Sequence, residues 1–126
     1  MKAVLDASAL LAYLQDEPGN EAVDAVLAES VISSVNWAEV VQKVIASGVL
    51  VDEMRNDLEA LGMKIEPFMP EDGLLAGELW QQTRQYGLSL GDRACLSVGL
   101  RLGIPVLTTD RIWANLGLTL DVCVIR

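Results

Sequence analysis

Residues 2–14 read KAVLDASALLAYL, and this stretch decides the fold. The segment 2–6 is short and almost wholly apolar, and it runs directly into a helical pattern over 8–14. A buried strand feeding the helix that covers it has this form, with Ser8 placed to cap the helix. The same alternation continues outward. Pro18 and Gly19 break the chain, and a helix is predicted at about 20–29, with Val23, Val26 and Leu27 on one face. A brief strand at 31–33 leads to Ser34, which caps a helix through Ala46 with a stripe of Trp37, Val40, Val41, Val44 and Ile45; Gly48 ends it. Next come a helix over 51–61 closed by Gly62, a strand over 63–68 stopped by Pro70, and helices at about 71–86 and 90–102. A strand over 104–108, a short helix over 110–116 and a last strand over 118–125 complete the chain. Short apolar strands alternating with helices predict an α/β fold, a three-layer α/β/α sandwich around a central parallel sheet of about five strands. There is no repeat, low-complexity run or long linker, so residues 1–126 are expected to form a single domain.

Composition bounds the chemistry. A chain of 126 residues buries roughly two-thirds of its unfolded surface, enough for a core without staples. Hydrophobic residues make up 52% and charged ones 21%, which excludes a disordered chain. Cys95 and Cys123 each lie in an apolar run and are expected to be buried thiols in a reducing compartment. Asp6 interrupts the apolar start, no signal-peptide cleavage site follows it, and no apolar stretch reaches the about 20 residues of a membrane span. A cytoplasmic protein is expected. Histidine is absent, which removes Ser-His-Asp and Cys-His nucleophiles, an imidazole base and His-ligated zinc. Catalysis would therefore rest on carboxylates, hydroxyls, amines, thiols or bound metal. The formal charge of −9 argues against a broad basic face for a polyanion, but it does not exclude a nucleic-acid substrate met through metal ions.

Four acids stand out. In an open α/β sheet, ligands collect at the carboxyl ends of strands near the point where strand order reverses. Asp6 ends the first strand and Asp110 follows the strand at 104–108, so both are predicted at the same sheet edge. Ser8, Thr108 and Thr109 put small hydroxyl groups beside them, with room for water and ions. Each acid also has a purely structural use. Asp110 suits a helix cap; Asp6 suits one less, because Ser8 is at hand. Asp92 can complete a capping box with Ser89, yet its helical face carries Cys95, Leu96 and Gly99, and a carboxylate on a buried face needs a cation or firm hydrogen bonds. Glu39 precedes Lys43 by four residues, the spacing of a surface ion pair. Clustered carboxylates repel unless a cation intervenes, and oxygen-only sites suit Mg²⁺ or Mn²⁺. Such ions orient a water, lower its pKa and neutralise a phosphate under attack.

Four segments carry a resemblance: VLDASALLAYL from Val4, SSVNWAEVVQKV around Glu39, LSLGDRACL around Asp92 and PVLTTDRIW around Asp110. In this order they resemble the PIN-domain family, in particular the VapC-type ribonuclease toxins of toxin–antitoxin systems. The resemblance implies a PIN-like sandwich and a metal-dependent endoribonuclease cutting RNA with Mg²⁺ or Mn²⁺. It implies that Asp6, Glu39, Asp92 and Asp110 are the metal-binding and catalytic acids, with Ser8 and Thr108 or Thr109 beside the metal. It further implies a homodimer and a small antitoxin partner. Arg93 and Arg111 each follow one of these acids and Lys43 lies one turn from Glu39; all three are candidates for substrate phosphates, or simply solvated charges. Leu10, Leu11 and Leu14 with Val40, Val41 and Val44 suit an interface or the core equally. Trp37, Trp80 and Trp113 are expected in core or interface rather than as base-stacking platforms.

Three alternatives remain. A Mg²⁺-binding receiver-type signalling domain would need an Asp after a central strand and a Lys after the last, where this chain has Phe68 to Pro70 and Arg126. A haloacid-type phosphatase would need a second Asp where Ser8 stands. A PIN-fold binding module that no longer cuts is compatible with every residue above.

Overall fold

In a computed structural model that describes residues 1–126, strands β1 (Ala3–Leu5), β2 (Ser30–Ser33), β3 (Lys64–Glu66), β4 (Val106–Thr108) and β5 (Val122–Val124) form one sheet. Their order is β3-β2-β1-β4-β5 and every pairing is parallel. Val4 pairs with Val31 and Val106, and Leu5 pairs with Ile32 and Leu107. Successive strand side chains point to opposite faces, so these two rows face opposite ways. The Leu5, Ile32 and Leu107 row packs under α1 (Ala7–Leu14), α2 (Asn20–Val26), α3 (Ser34–Ala46) and α4 (Met54–Ala60) through Leu10, Val23, Val40 and Leu58. The Val4, Val31 and Val106 row packs against Leu79, which follows α5 (Pro70–Glu78), and against Cys95, Leu96 and Val98 of α7 (Leu90–Leu102). The expected three-layer α/β/α sandwich with a parallel sheet is what the structure shows. Because β1 is central, the order differs from the 2-1-3-4-5 of receiver domains.

Several local expectations need correction. Ser8 does not cap α1; Asp6 does, and α3 is capped by Ser33, one residue before the expected Ser34. The helix expected over 71–86 is interrupted: α5 ends at Glu78, α6 spans Trp80–Thr83, and a 3-10 turn covers Arg84–Tyr86. The Thr83 hydroxyl donates back to the Leu79 carbonyl at 2.8 Å, a side-chain bond that bends helices. Pro70 does not merely stop a strand. It opens α5, where its missing N–H costs nothing. Along α3 the buried row is Asn36, Val40 and Val44, spaced by four, which leaves Ile45 57% exposed rather than in the core. Leu10, Leu11, Val40 and Val44 are core residues. Cys95 is buried as expected but Cys123, on the edge strand β5, is exposed. Trp113 is buried; Trp80 is 47% exposed under the Arg84 guanidinium. No helix is long and apolar enough to cross a membrane.

Candidate functional site

Strand order reverses between β1 and β4, so the crevice beyond their carboxyl ends is the expected ligand position in this topology. Asp6 leaves β1 into that crevice and is 5% exposed. Its Oδ1 accepts from the Ala9 N–H at 2.8 Å, closing the first turn of α1, and from the Ser8 hydroxyl at 2.7 Å. Its Oδ2 accepts from the Thr108 hydroxyl at 2.6 Å. Each hydroxyl in turn accepts a backbone N–H, Ser8 from Thr109 at 3.0 Å and Thr108 from Asp110 at 3.0 Å. Two hydroxyl relays therefore clamp the end of β4 to the end of β1. Ser8 and Thr108 are bound to Asp6 rather than left beside an open space, and Thr109 joins through its N–H. Burial pushes the Asp6 carboxyl up to about 6; the bonds from Thr108, Ser8 and Ala9 pull the other way, and the Asp92 charge adds to the rise.

Asp92 sits in the first turn of α7, where its Oδ2 accepts the Ser89 N–H at 2.9 Å and the Ser89 hydroxyl accepts the Asp92 N–H at 3.1 Å. This is the capping box foreseen in the sequence. Glu39, one turn into α3, does not pair with Lys43. Its Oε1 accepts from Asn36 Nδ2 at 2.7 Å, and Asn36 gives its other amide hydrogen to the Gly91 carbonyl at 2.9 Å. Asp110 caps the 3-10 turn Arg111–Asn115 through the Ile112 N–H at 3.0 Å and is exposed. Asp6, Asp92 and Glu39 are close enough together that, after burial, their charges raise the pKa of the same buried thiol, Cys95. Asp110 is linked to Asp6 only through the Thr108 hydroxyl.

None of the four acids forms an ion pair. Glu39 Oε2, Asp92 Oδ1 and Asp110 Oδ2 accept no hydrogen bond from the protein, and the Asn36 Oδ1, though buried, has no donor either. An oxygen-only donor set with spare acceptors and no Lys or Arg paired to it fits a hard divalent ion in kind. As the side chains stand, no three acidic or thiol groups converge on one point. The basic candidates are spread out. Arg93 donates to the Ala76 carbonyl at 2.8 Å and is occupied inside the fold, Arg111 is exposed and donates to the Arg126 carbonyl at 3.2 Å, and Lys43 is exposed. Two contributors escaped sequence reasoning, Asn36 and Gly91. The three-residue spacing of Asn36 and Glu39 on one helix was a signal for their bond; nothing in the sequence marked the contact with Gly91, which is 55 residues away from Asn36.

The PIN domain family model matches residues 3–117. A search of curated proteins finds no match. Among solved structures, a toxin–antitoxin complex from Klebsiella pneumoniae superposes with a TM-score of 0.74 at 19% identity, covering 97% of this chain and 96% of the other. VapC20 of Mycobacterium tuberculosis, a Sarcin-Ricin loop cleaving toxin, gives 0.72 at 14%, covering 94% and 97%. FitAcB from Neisseria gonorrhoeae gives 0.71 at 16%, covering 95% of each. At these identities the superpositions speak to fold alone, whereas the family model spans nearly the whole chain: this protein belongs to the PIN domain family.

Proposed function

We propose that this chain is a metal-dependent endoribonuclease of the VapC type, the toxin of a toxin–antitoxin pair, folded as one domain over residues 1–126. The observation that carries the reading is a buried Asp6 at the strand switch point with no Lys or Arg paired to it, with Asp92 and Glu39 near it and an open oxygen on each of those two. Family membership supports it, since PIN nucleases generally use a divalent metal. So do structural neighbours that include a toxin–antitoxin complex and a Sarcin-Ricin loop cleaving toxin.

Asp6, Asp92, Glu39 and Asp110 are the residues that would hold Mg²⁺ or Mn²⁺. When bound, the ion supplies charge neutralisation for the phosphate and a more acidic water. The chain's own residues do the rest. Ser8 and Thr108 spend their only hydrogens on Asp6, so both of its oxygens are fixed in direction before any ligand arrives. The capping box holds Asp92 by one oxygen and leaves the other without a protein donor, available to a cation. Ionised Asp6 is the form that serves a cation, and its raised pKa places loss of that form near pH 6. Bringing three carboxylates onto one ion requires side-chain rotation from the arrangement seen here. Lys43 and Arg111 are exposed and can meet RNA phosphates, Arg111 with the donors it does not spend on the Arg126 carbonyl; Arg93 is less exposed and donates to Ala76.

The partner reading has its own support. Tyr13, Leu14, Val44, Leu50, Met54 and Leu61 line an apolar groove beside α1 and α4, with Leu50 85% exposed. An antitoxin segment with apolar side chains suits it. Leu74 and Trp80, exposed on and after α5, suit a homodimer contact.

The test uses purified, partner-free protein with structured RNAs. Cleavage is expected with Mg²⁺ or Mn²⁺, lost in EDTA and absent from the Asp6→Asn, Asp92→Asn double variant. If wild type and that variant cut alike with either cation, the nuclease reading fails; tight Mn²⁺ binding without cleavage would indicate a silent binding module.

A further inference from the structure

Glu39 is the one acid of the four that no backbone N–H holds. A glutamate on a helix ordinarily samples several rotamers, and this one must be directed across to another helix to join Asp6 and Asp92. Gly91 gives it space. A Cβ built on Gly91 would lie 2.7 Å from Glu39 Oε1 and 2.8 Å from both Cδ and Oε2, so the whole carboxylate rests on the bare backbone of α7. At under 3.0 Å something must shift, and since the atoms met are the flexible end of Glu39, a side chain at 91 moves the carboxylate rather than the backbone.

Asn36 gives it direction. The amide is 1% exposed, and its two N–H bonds go to Glu39 Oε1 and to the carbonyl of the same Gly91. Both partners are acceptors, so the amide cannot be turned over, and its Oδ1 is left buried without a donor. A buried unpaired carbonyl is costly to keep, and a fold that wanted only helix packing would fill this position with an aliphatic residue. Gly91 is equally unneeded for backbone reasons. Its φ lies outside the left-handed range, and it occupies the first turn of a helix where alanine is the better former.

We propose that Asn36 and Gly91 are positioning residues that latch Glu39 beside Asp92, with Gly91 kept free of a side chain so that the Glu39 carboxylate can occupy the site. The inference rests on the nuclease reading for what Glu39 does, but the latch itself is a property of the metal-free protein. It implies an unusual sign. Gly91→Ala improves the helix yet impairs the site.

The experiment is a double-variant cycle of wild type, Gly91→Ala, Glu39→Ala and the pair, each melted in EDTA and each titrated with Mn²⁺ followed through the spectrum of the free ion. With Ala at 39, Gly91→Ala should raise the melting temperature by roughly 2 to 4 °C, the helix-propensity gain. With Glu39 present that gain should be at least halved. Mn²⁺ affinity should fall roughly tenfold to a hundredfold on Gly91→Ala when Glu39 is present and change less than twofold when it is absent. Asn36→Ala should lower Mn²⁺ affinity in the same Glu39-dependent way. Equal melting shifts in both backgrounds, or an affinity loss that ignores residue 39, would overturn the latch. Failure of the nuclease reading looks different: the wild type would not cleave RNA, and if the metal site itself is wrong it would bind no Mn²⁺, while the coupling in EDTA would still read out the Glu39–Gly91 contact.

Discussion

The two ends of α7 handle a buried aspartate in opposite ways. At the C-terminal end Asp72, in the first turn of α5 and 1% exposed, is met by Arg101, whose Nε donates to Oδ1 at 2.7 Å and whose second donor reaches Oδ2 at 3.1 Å. Arg101 also reaches Glu66 at 3.1 Å, and the Asp72 hydrogen bond holds the guanidinium firmly in its charged form. At the N-terminal end Asp6, nearly as buried and likewise at the start of a helix, is met only by hydroxyls and one N–H, with Asp92 and Glu39 adding negative charge to its surroundings. Both carboxylates close a helix end. One has a cation built into the chain, and the other has spare oxygens where a cation would go. The contrast shows what a merely structural buried acid looks like in this protein, and the strand-end cluster is not that.

Replacing the built-in cation should be the costlier change. Arg101→Met leaves Asp72 buried and unpaired, and urea unfolding should show a loss of about 3 kcal/mol, at the low end for breaking a buried pair because Arg101 is partly solvated. Mn²⁺ affinity at the other end of the helix should not move. A loss below about 0.5 kcal/mol would place Asp72 with ordinary surface acids and remove the contrast.

The opposite sign is expected at Asp6. Its folded-state pKa is raised from 3.8 to about 6, so ionisation weighs against folding. The penalty is absent below pH 4, grows as the pH rises between the two values, and is complete above the higher one. The gap corresponds to about 3 kcal/mol as an upper bound. In EDTA at pH 7, Asp6→Asn should therefore be the more stable protein by about 2 kcal/mol, since asparagine still caps a helix, its Oδ1 keeps the bonds from Ser8 and Ala9, and the Thr108 hydroxyl can turn to accept its N–H. That advantage should vanish by about pH 4. An Asn variant less stable than wild type at pH 7 would mean that the carboxylate is held for structure.

Much of this contrast was visible in the sequence, though not for the reasons first assigned. Asp6 ending an apolar strand and Asp110 following another fixed the sheet edge, and α7 with its capping box was legible down to its first residue. In the sequence Asp6 suits a cap less because Ser8 is at hand; in the fold Asp6 is the cap, and Ser8 serves it. Capping and ligand binding are thus not rival uses at Asp6, because a carboxylate has about four lone-pair directions and the protein fills three. The edge strands were overread, since β3 and β5 pair on one side only and their apolar runs continue into loops. The Asn36–Gly91 contact and the Arg101 fork to Asp72 join residues far apart in the chain, and no local pattern announces such pairs.

The central claim is that the Asp6 cluster is completed by a divalent cation. Unfolding of wild type and Asp6→Asn at pH 7, with and without Mn²⁺ at ten times the wild-type dissociation constant, tests it most directly. The wild type should gain about 1.4 kcal/mol from the ion and Asp6→Asn nothing, so that Mn²⁺ narrows the gap between them. A wild type indifferent to millimolar Mn²⁺, or an equal gain in both proteins, would contradict it.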